Sequence, residues 1–507
     1  MDQFPTMGVP NTGDTAWMLA SSALVLLMTP GLAFFYGGMV RAKSVLNMIM
    51  MSVSAMGVVT VLWVLYGYSL AFGDDVGNIA GNPTEYWGLK GLIGVNGVAA
   101  VPAGDPASST AAVEIPLAGS VPQTVFAAFQ LMFAIITVAL ISGAVADRLK
   151  FGSWMFFAAL WVSFVYFPVA HWVFAFDKVA AAHGGWIANK LHAIDFAGGT
   201  AVHINAGVAG LVLAIILGKR QGWPKTPMRP HNLPLVMLGA GLLWFGWYGF
   251  NAGSATSANG AAGSTFVTTT IATAAAMLAW LLTERIRDGH ATSLGAASGI
   301  VAGLVAITPS CSSVNVFGAL VIGATAGVVC ALAVGLKYRF GFDDSLDVVA
   351  VHLVGGLAGT LLIGLVAAPG TTAIAGVSGV SPGLLYGGGF DQLWRQTIGA
   401  GSVLGYSAVV TAILALAMKH TIGLRLAAED EASGIDEAQH AEGGYDFAVV
   451  GSSVLAHPAE EERGNEADYR DRQALHARRH QDQPRGSRGA GDDGQRSPGL
   501  RATEGSH

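Results

Sequence analysis

The stretch DFAGGTAVHINAGVAG, residues 195–210, sets one carboxylate and one histidine in an otherwise small and apolar run. Its core returns in the second half of the chain: Val202-His203 followed by Gly207, Ala209 and Gly210 recurs as Val351-His352 followed by Gly356, Ala358 and Gly359. Asp347 stands before the second copy as Asp195 stands before the first. An ionisable side chain inside an apolar span is costly and is by default a functional candidate. Two imidazoles in matched frames therefore point to a conduit across a membrane.

Composition agrees. The 507 residues are 52% hydrophobic and only 12% charged, with mean hydropathy +0.51, against about 25% charged in an ordinary soluble chain. The 68 glycines suit helices packed closely through small residues. The net charge of -6 resides mainly in loops and the C-terminal tail and says little about partners; nothing points to nucleic acid. Cys311, in an expected loop, and Cys330, in an expected helix, form no disulfide framework. The N-terminal MDQFPTMGVPNTGDTAW has no basic segment before its apolar run, so the first helix is expected to be retained.

Apolar runs of the length that crosses a bilayer, about 20 residues, fall at roughly 16–37, 46–72, 122–144, 152–176, 197–218, 233–254, 262–284, 292–308, 314–336, 346–368 and 394–419. This predicts an all-α polytopic membrane protein of eleven spans, with a transmembrane domain over 16–419 after a short extracytoplasmic N-terminus, 1–15. Loops on one side, with the segment after the last span, carry fourteen Lys and Arg, among them Arg41, Arg148, Arg220, Lys337 and Arg425; the other side carries Lys90, Lys178, Lys190 and Arg395. That asymmetry places the N-terminus outside and the C-terminus in the cytoplasm, for a multi-pass protein of the inner (plasma) membrane. Residues 73–121, rich in Gly, Pro, Ala and Ser, read as an extracytoplasmic loop without a core of its own. Residues 420–446 keep a mixed composition, whereas 447–507 become so polar that they read as a disordered cytoplasmic tail. No Walker-type motif marks an ATP-driven pump, and no nucleophile, metal cluster or cofactor loop marks an enzyme.

Spans five and ten run in opposite directions, so the two VHxxxGxAG copies are antiparallel. A weaker echo joins GLAFFYGG (31–38) to GLLWFGWYGFNAG (241–253), again five spans apart. Two inverted five-helix repeats plus a final helix follow, with His203 and His352 meeting near the midplane. Each aspartate sits near the start of its helix, where it can cap free N–H groups or bias the field outside. The histidine pair can hold a small polar molecule or relay a proton; two histidines without a cysteine or spaced acid make a poor zinc site. Phe129 and Phe133 share a helical face in span three, and Trp247, Tyr248 and Phe250 crowd the end of span six near Ser254. Such rings serve either packing or cation–π attraction.

Taken together, GLAFFYGGMVR (31–41), GAVADRLKF (143–151), DFAGGTAVHINAG (195–207), GWYGFNAGSA (246–255), DDSLDVVAVHLVGG (343–356) and TIGLR (421–425) resemble the ammonium transporter family (Amt/MEP/Rh), and within it the bacterial Amt branch, over residues 14–446. The resemblance implies a homotrimer in which each subunit has its own narrow pore. It implies that His203 and His352 line that pore, that Phe133 and Phe250 form a stacked outer gate, and that Ser254 belongs to an ammonium recruitment site with Phe250, Phe174 and Phe133. Asp195 is then the acid beneath that site, with Asp347 its counterpart, and Gln130 lies beside the gate. Where the family commonly has a tryptophan this chain has Phe174, which lacks an indole N–H and offers a weaker cation–π face; neighbouring Trp172 is a candidate substitute. Carrying a bare ion through an apolar pore costs far more than carrying neutral ammonia. The expected mechanism is therefore recruitment of ammonium (methylammonium as analogue), deprotonation, passage of ammonia, and separate transfer of the proton along the histidines. Residues 420–446 resemble the family's regulatory C-terminal region, the docking region for a PII signalling protein, with His440-Ala441-Glu442 in place of the usual His-Gly-Glu. Rival readings are an electroneutral Rh-like channel for ammonia or carbon dioxide, and an ammonium sensor with little flux.

Overall fold

The computed structural model describes residues 4–93, 115–375 and 377–445. The apolar runs fold into helices because, away from water, only intrasegment hydrogen bonding satisfies every backbone group. Among the described residues ten helices are long and apolar enough to cross a membrane: α1 (Thr12–Met39), α2 (Ala42–Phe72), α3 (Gln123–Val145), α4 (Phe151–Phe174), α5 (Gly199–Leu217), α6 (Leu233–Gly253), α7 (Gly260–Asp288), α9 (Val316–Phe340), α10 (Val349–Val366) and α11 (Asp391–Thr421). Between α7 and α9 lies the shorter apolar helix α8, Ser293–Ile307. At about 1.5 Å per residue its 15 residues fall short of the ~30 Å hydrocarbon core. Its residues from Ala297 onward are buried, as are those of the following turn, Thr308–Ser313, so its polar end groups meet protein rather than lipid. Large apolar side chains that remain exposed, such as Leu19, Val61, Phe164, Leu238, Leu278 and Ile413, lie on long helices and supply lipid-facing surface.

The helices named by the repeat pack on each other. A Cβ on Gly239 of α6 would stand 2.4 Å from the Phe35 nitrogen of α1, and one on Gly246 would stand 2.3 Å from Met28 Cγ. Gly253 in turn faces Ser21. As the numbers rise along one helix they fall along the other, so α1 and α6 are antiparallel. The same holds for α5 and α10, where Gly207 faces Leu353 and Gly199 faces Gly356. Small residues at these crossings let backbones approach closely, the usual route to tight helix contact in membranes.

The described parts of the 73–121 segment carry more order than a plain loop. Strands β1 (Thr6–Gly8), β4 (Ile115–Ala118) and β5 (Val121–Pro122) form an antiparallel sheet, and β2 (Asp75–Val76) pairs with β3 (Ala80–Gly81). Tyr86 is buried, with its ring 5.4 Å from that of Tyr68. The segment therefore lends side chains to the main core. Composition concealed this because its order comes from pairing with the N-terminus and packing on α2.

After α11 the chain is tied back onto the helix ends at the same end of the molecule. Lys150 N–H donates to the Leu424 carbonyl at 2.9 Å and Leu426 N–H to the Arg148 carbonyl at 3.0 Å. Two short helices follow, α12 (Ala428–Ser433) and α13 (Ile435–His440). Buried Glu431 accepts from Arg425 at 2.7 Å and from the Gln221 N–H at 2.5 Å. Buried Asp436 accepts from the Leu46 and Asn47 N–H groups at 3.0 and 2.8 Å, at the beginning of α2. The expected tail, 447–507, lies outside the described residues.

Candidate functional site

His203 and His352 lie in π-helical turns, Gly199–Ile204 at the start of α5 and Val349–Val354 at the start of α10. Wide turns of this kind are frequent at functional sites in helices. Gly356, four residues after His352, makes the meeting possible: a Cβ there would stand 3.2 Å from His203 Cβ and 3.1 Å from the Gly199 carbonyl oxygen. The two Nδ1 atoms are 3.2 Å apart, and the rings lie 22° from parallel with centroids separated by 5.3 Å. A hydrogen bond between two Nδ1 atoms needs one donor and one acceptor, so a neutral pair holds opposite tautomers. Both side chains are buried, at 1% and 3% exposure, and His203 Nε2 has no hydrogen-bond partner among the described residues.

Around the pair the walls are apolar. Met28, Leu32, Leu140, Leu243 and Val301 join both histidines in lining a narrow cavity, whose volume open to the centre of a water-sized sphere is about 10 Å³. That is about the threshold for a single water. Trp247 stacks on His203 at 5.5 Å and 17°, with its indole N–H donated to Thr308 at 2.9 Å. This ring support follows from the crossing of α6 with α5 and has no counterpart in the repeat pattern.

One end of this cavity is closed by two phenyl rings. Phe133 and Phe250 stack with centroids 4.2 Å apart and 26° between planes, and Phe250 lies 6.1 Å from the His203 ring. Beyond them opens a vestibule of about 120 Å³ lined by Phe129, Gln130, Phe133, Phe174, Phe196 and Ser254 among others. Phe174 meets Phe133 edge to face at 6.3 Å. Ser254 donates its hydroxyl to the Phe250 carbonyl at 2.8 Å, which leaves an oxygen lone pair available in the vestibule. A wider chamber of about 500 Å³ shares Phe176, Phe196 and Ser254 with it. Trp172 lines neither space: it packs 4.7 Å from Tyr406 and spends its indole N–H on the Ile79 carbonyl at 2.8 Å, so it adds no face to the vestibule.

Asp195, 7% exposed, holds the start of α5 together. Oδ1 accepts from the N–H groups of Gly198 (2.8 Å) and Gly199 (2.6 Å). Oδ2 accepts from those of Thr200 (2.8 Å) and Ala201 (3.1 Å) and from the Thr200 hydroxyl. These are the first N–H groups of a helix, which have no partner within it. Asp347 does not repeat this role. It sits at a left-handed φ of 61° and pairs with Lys337 at 2.6 Å. The carboxylate that caps α10 is Asp344, which accepts from Val349 N–H at 2.7 Å. Spacing could have revealed this, because Asp344 precedes His352 by eight residues just as Asp195 precedes His203.

Apolar helices of membrane-spanning length enclose a narrow cavity that holds a buried imidazole pair behind two stacked phenyl rings, the architecture of a polytopic membrane protein. The Ammonium Transporter Family model matches residues 16–445. A protein of Mycobacterium tuberculosis named Ammonium transporter is 80% identical over 455 residues, covering 90% of this chain and 94% of that protein. Among solved structures, Saccharomyces cerevisiae Mep2 superposes with TM-score 0.72 at 35% identity, over 83% of this chain and 88% of that one. A structure described as Sensor Amt Protein superposes with TM-score 0.73 at 25% identity, over 84% and 98%. The chain belongs to the ammonium transporter family, whose members are transporters rather than enzymes.

Proposed function

We propose that this protein takes up ammonium at the inner (plasma) membrane with its N-terminus outside, splitting the ion into ammonia and a proton on the way. The observation that carries the reading is the His203–His352 contact at 3.2 Å directly behind the Phe133–Phe250 stack. Ammonium is recruited in the vestibule by Ser254 and the faces of Phe174, Phe133 and Phe250, which together offer a hydroxyl acceptor and cation–π attraction. Beyond the stack the walls offer only the imidazoles as polar partners. There a full charge is far more costly than neutral ammonia, so the ion deprotonates and ammonia alone passes the phenyl gate. The proton follows along the imidazole pair: it adds to Nε2 of the first ring, a proton passes between the Nδ1 atoms, and Nε2 of the second ring releases one, which leaves the two tautomers exchanged. Asp195 keeps its negative charge close to the entrance while capping α5, and Gln130 borders the gate.

The functional unit in this reading is a homotrimer with one passage per subunit. The C-terminal region receives a PII signalling protein in this reading, which its anchoring through Glu431 and Asp436 supports by holding it in one conformation. In proteoliposomes the double variant His203→Ala, His352→Ala should lose selective ammonium current. Unchanged current that still excludes potassium would sink the histidine pathway. The likeness to Sensor Amt Protein supports a second reading, a sensor with little flux. Uptake of labelled methylammonium by cells lacking their own system separates the two, and simultaneous current recording separates either from an electroneutral channel.

A further inference from the structure

The chain that leads into α5 leaves helical structure around Asp195: residues 192–198 are irregular backbone. Non-helical backbone at membrane depth holds only where protein satisfies its N–H and C=O groups. Here α11 supplies partners from one face of its first turns. Arg395 donates to the Leu191 carbonyl at 2.8 Å, Gln392 to the His192 carbonyl at 3.2 Å and Gln396 to the Ile194 carbonyl at 2.7 Å. Gly399, one turn on, lets this face come close: a Cβ there would stand 3.2 Å from Ala193 Cβ.

Gln396 is the centre of this contact. It is fully buried, and its amide pairs with both backbone groups of one residue: Oε1 accepts the Ile194 N–H at 2.6 Å while Nε2 donates to the Ile194 carbonyl. The N–H only donates and the carbonyl only accepts, so the amide has a single orientation. Its two remaining positions are filled as well, Oε1 accepting from Gln392 Nε2 at 3.0 Å and Nε2 donating to the Thr360 carbonyl at 3.4 Å. Gln392, also buried, accepts the Ser381 N–H at 3.0 Å. A buried polar side chain with every group satisfied rigidifies what it joins. Gln396 joins the residue before Asp195, which caps α5, to Thr360 of α10, so one side chain ties together the two helices that carry the pore histidines.

We infer that Gln396 is a positioning residue for ammonium recruitment: by fixing Ile194 it sets where the Asp195 carboxylate stands relative to Ser254. The inference rests on the proposed recruitment of ammonium at Ser254. Ile194, Asp195 and Ser254 line the same outer chamber of about 500 Å³, together with His192 and Ala193. Gln396 lines neither that chamber nor the vestibule, so it acts through the loop it holds. The contacts of Asp195 with the N–H groups of residues 198–201 fasten the carboxylate to the start of α5; Gln396 fastens the chain on its other side to α10 and α11. Without the amide the Ile194 N–H and carbonyl are left buried without partners, which is costly. The loop then moves toward the water of the chamber, and the carboxylate moves with it.

The test is uptake of labelled methylammonium by proteoliposomes of the full chain, with ammonium as competitor. Gln396→Met keeps the length and bulk of the side chain and removes all four of its hydrogen bonds. The KM for methylammonium, and the ammonium concentration that halves uptake, should both rise about three- to tenfold, the scale of one hydrogen bond in a recruitment site. The maximal rate per folded protein should stay within about twofold of the unaltered protein, because the histidine pair is untouched. A merely structural role gives the opposite split, a maximal uptake reduced in proportion to folded protein at unmoved KM, and that result overturns the inference. Should Gln396→Met fail to insert, Gln392→Leu decides, since it removes one support of Gln396 and the bond to the His192 carbonyl; an unmoved KM there overturns the inference as well. The double histidine variant separates this from the splitting pathway. If that variant loses its current while KM is unmoved in Gln396→Met, the positioning role alone fails; if its selective current persists beside a raised KM, the splitting pathway alone fails.

Discussion

Gly207 of α5 lies so close to Leu353 of α10 that a Cβ on the glycine would stand 2.4 Å from the Leu353 amide nitrogen. The contact is the reason His203 is followed four residues later by glycine, as His352 is. Bringing two imidazoles within 3.2 Å requires their backbones to nearly touch one turn away. Gly207→Ala must push α5 off α10, an overpacking cost of about 1–3 kcal/mol. Thermal unfolding in detergent should show it, with methylammonium uptake falling more than stability alone predicts because the histidine contact opens.

Asp195 supports four backbone N–H groups and one hydroxyl. Replacing it by alanine leaves those donors buried without partners, at about 1–3 kcal/mol each. Asp195→Ala should therefore yield little monodisperse protein on gel filtration. A well-folded variant with normal unfolding temperature would show that water satisfies these groups.

The vestibule is lined by Phe174, and the neighbouring Trp172 is turned away from it. Phe174→Trp should strengthen cation attraction by about 0.5–1 kcal/mol, read as a two- to fivefold lower KM for ammonium at unchanged maximal current. An unchanged KM would mean that recruitment depends on Ser254 and the remaining rings.

Arg220 and Asp343 form a buried pair, with side-chain contacts of 2.8 and 2.9 Å, that joins the loop after α5 to the segment before α10. Burial by itself would raise the Asp343 carboxyl, but the Arg220 hydrogen bonds and charge, with help from Arg148, hold it below the usual carboxylate range. The folded state thus favours the ionised form. Its stabilisation is complete above the ordinary aspartate value, about 3.9, and is lost as pH falls through the lower folded value. Asp343→Asn should cost about 3–5 kcal/mol at neutral pH and flatten the acid limb of stability measured against pH.

Ala441 ends α13 in a left-handed conformation, φ 53°, which glycine adopts more readily. A Cβ there costs about 1 kcal/mol. Ala441→Gly should stabilise this end of the docked region and slow amide exchange across α12 and α13. Faster exchange would indicate that added freedom of the unfolded segment outweighs the strain removed.

The sequence by itself determined the helical membrane class, the positions of the apolar runs, the inverted pairing of His203 with His352 and the family. Those are one-dimensional properties, because spanning length, small-residue spacing and repeat register are all written along the chain. Tertiary structure alone decided what depended on neighbours distant in sequence. It showed that α8 is a short helix continued by a buried turn, that the outer segment pairs with the N-terminus, and that Trp172 faces Tyr406. It also moved the inner cap from Asp347 to Asp344. Both aspartates precede the second histidine. Only the backbone path, left-handed at Asp347 with its carboxylate drawn to Lys337, determines which of them reaches the free N–H groups of α10.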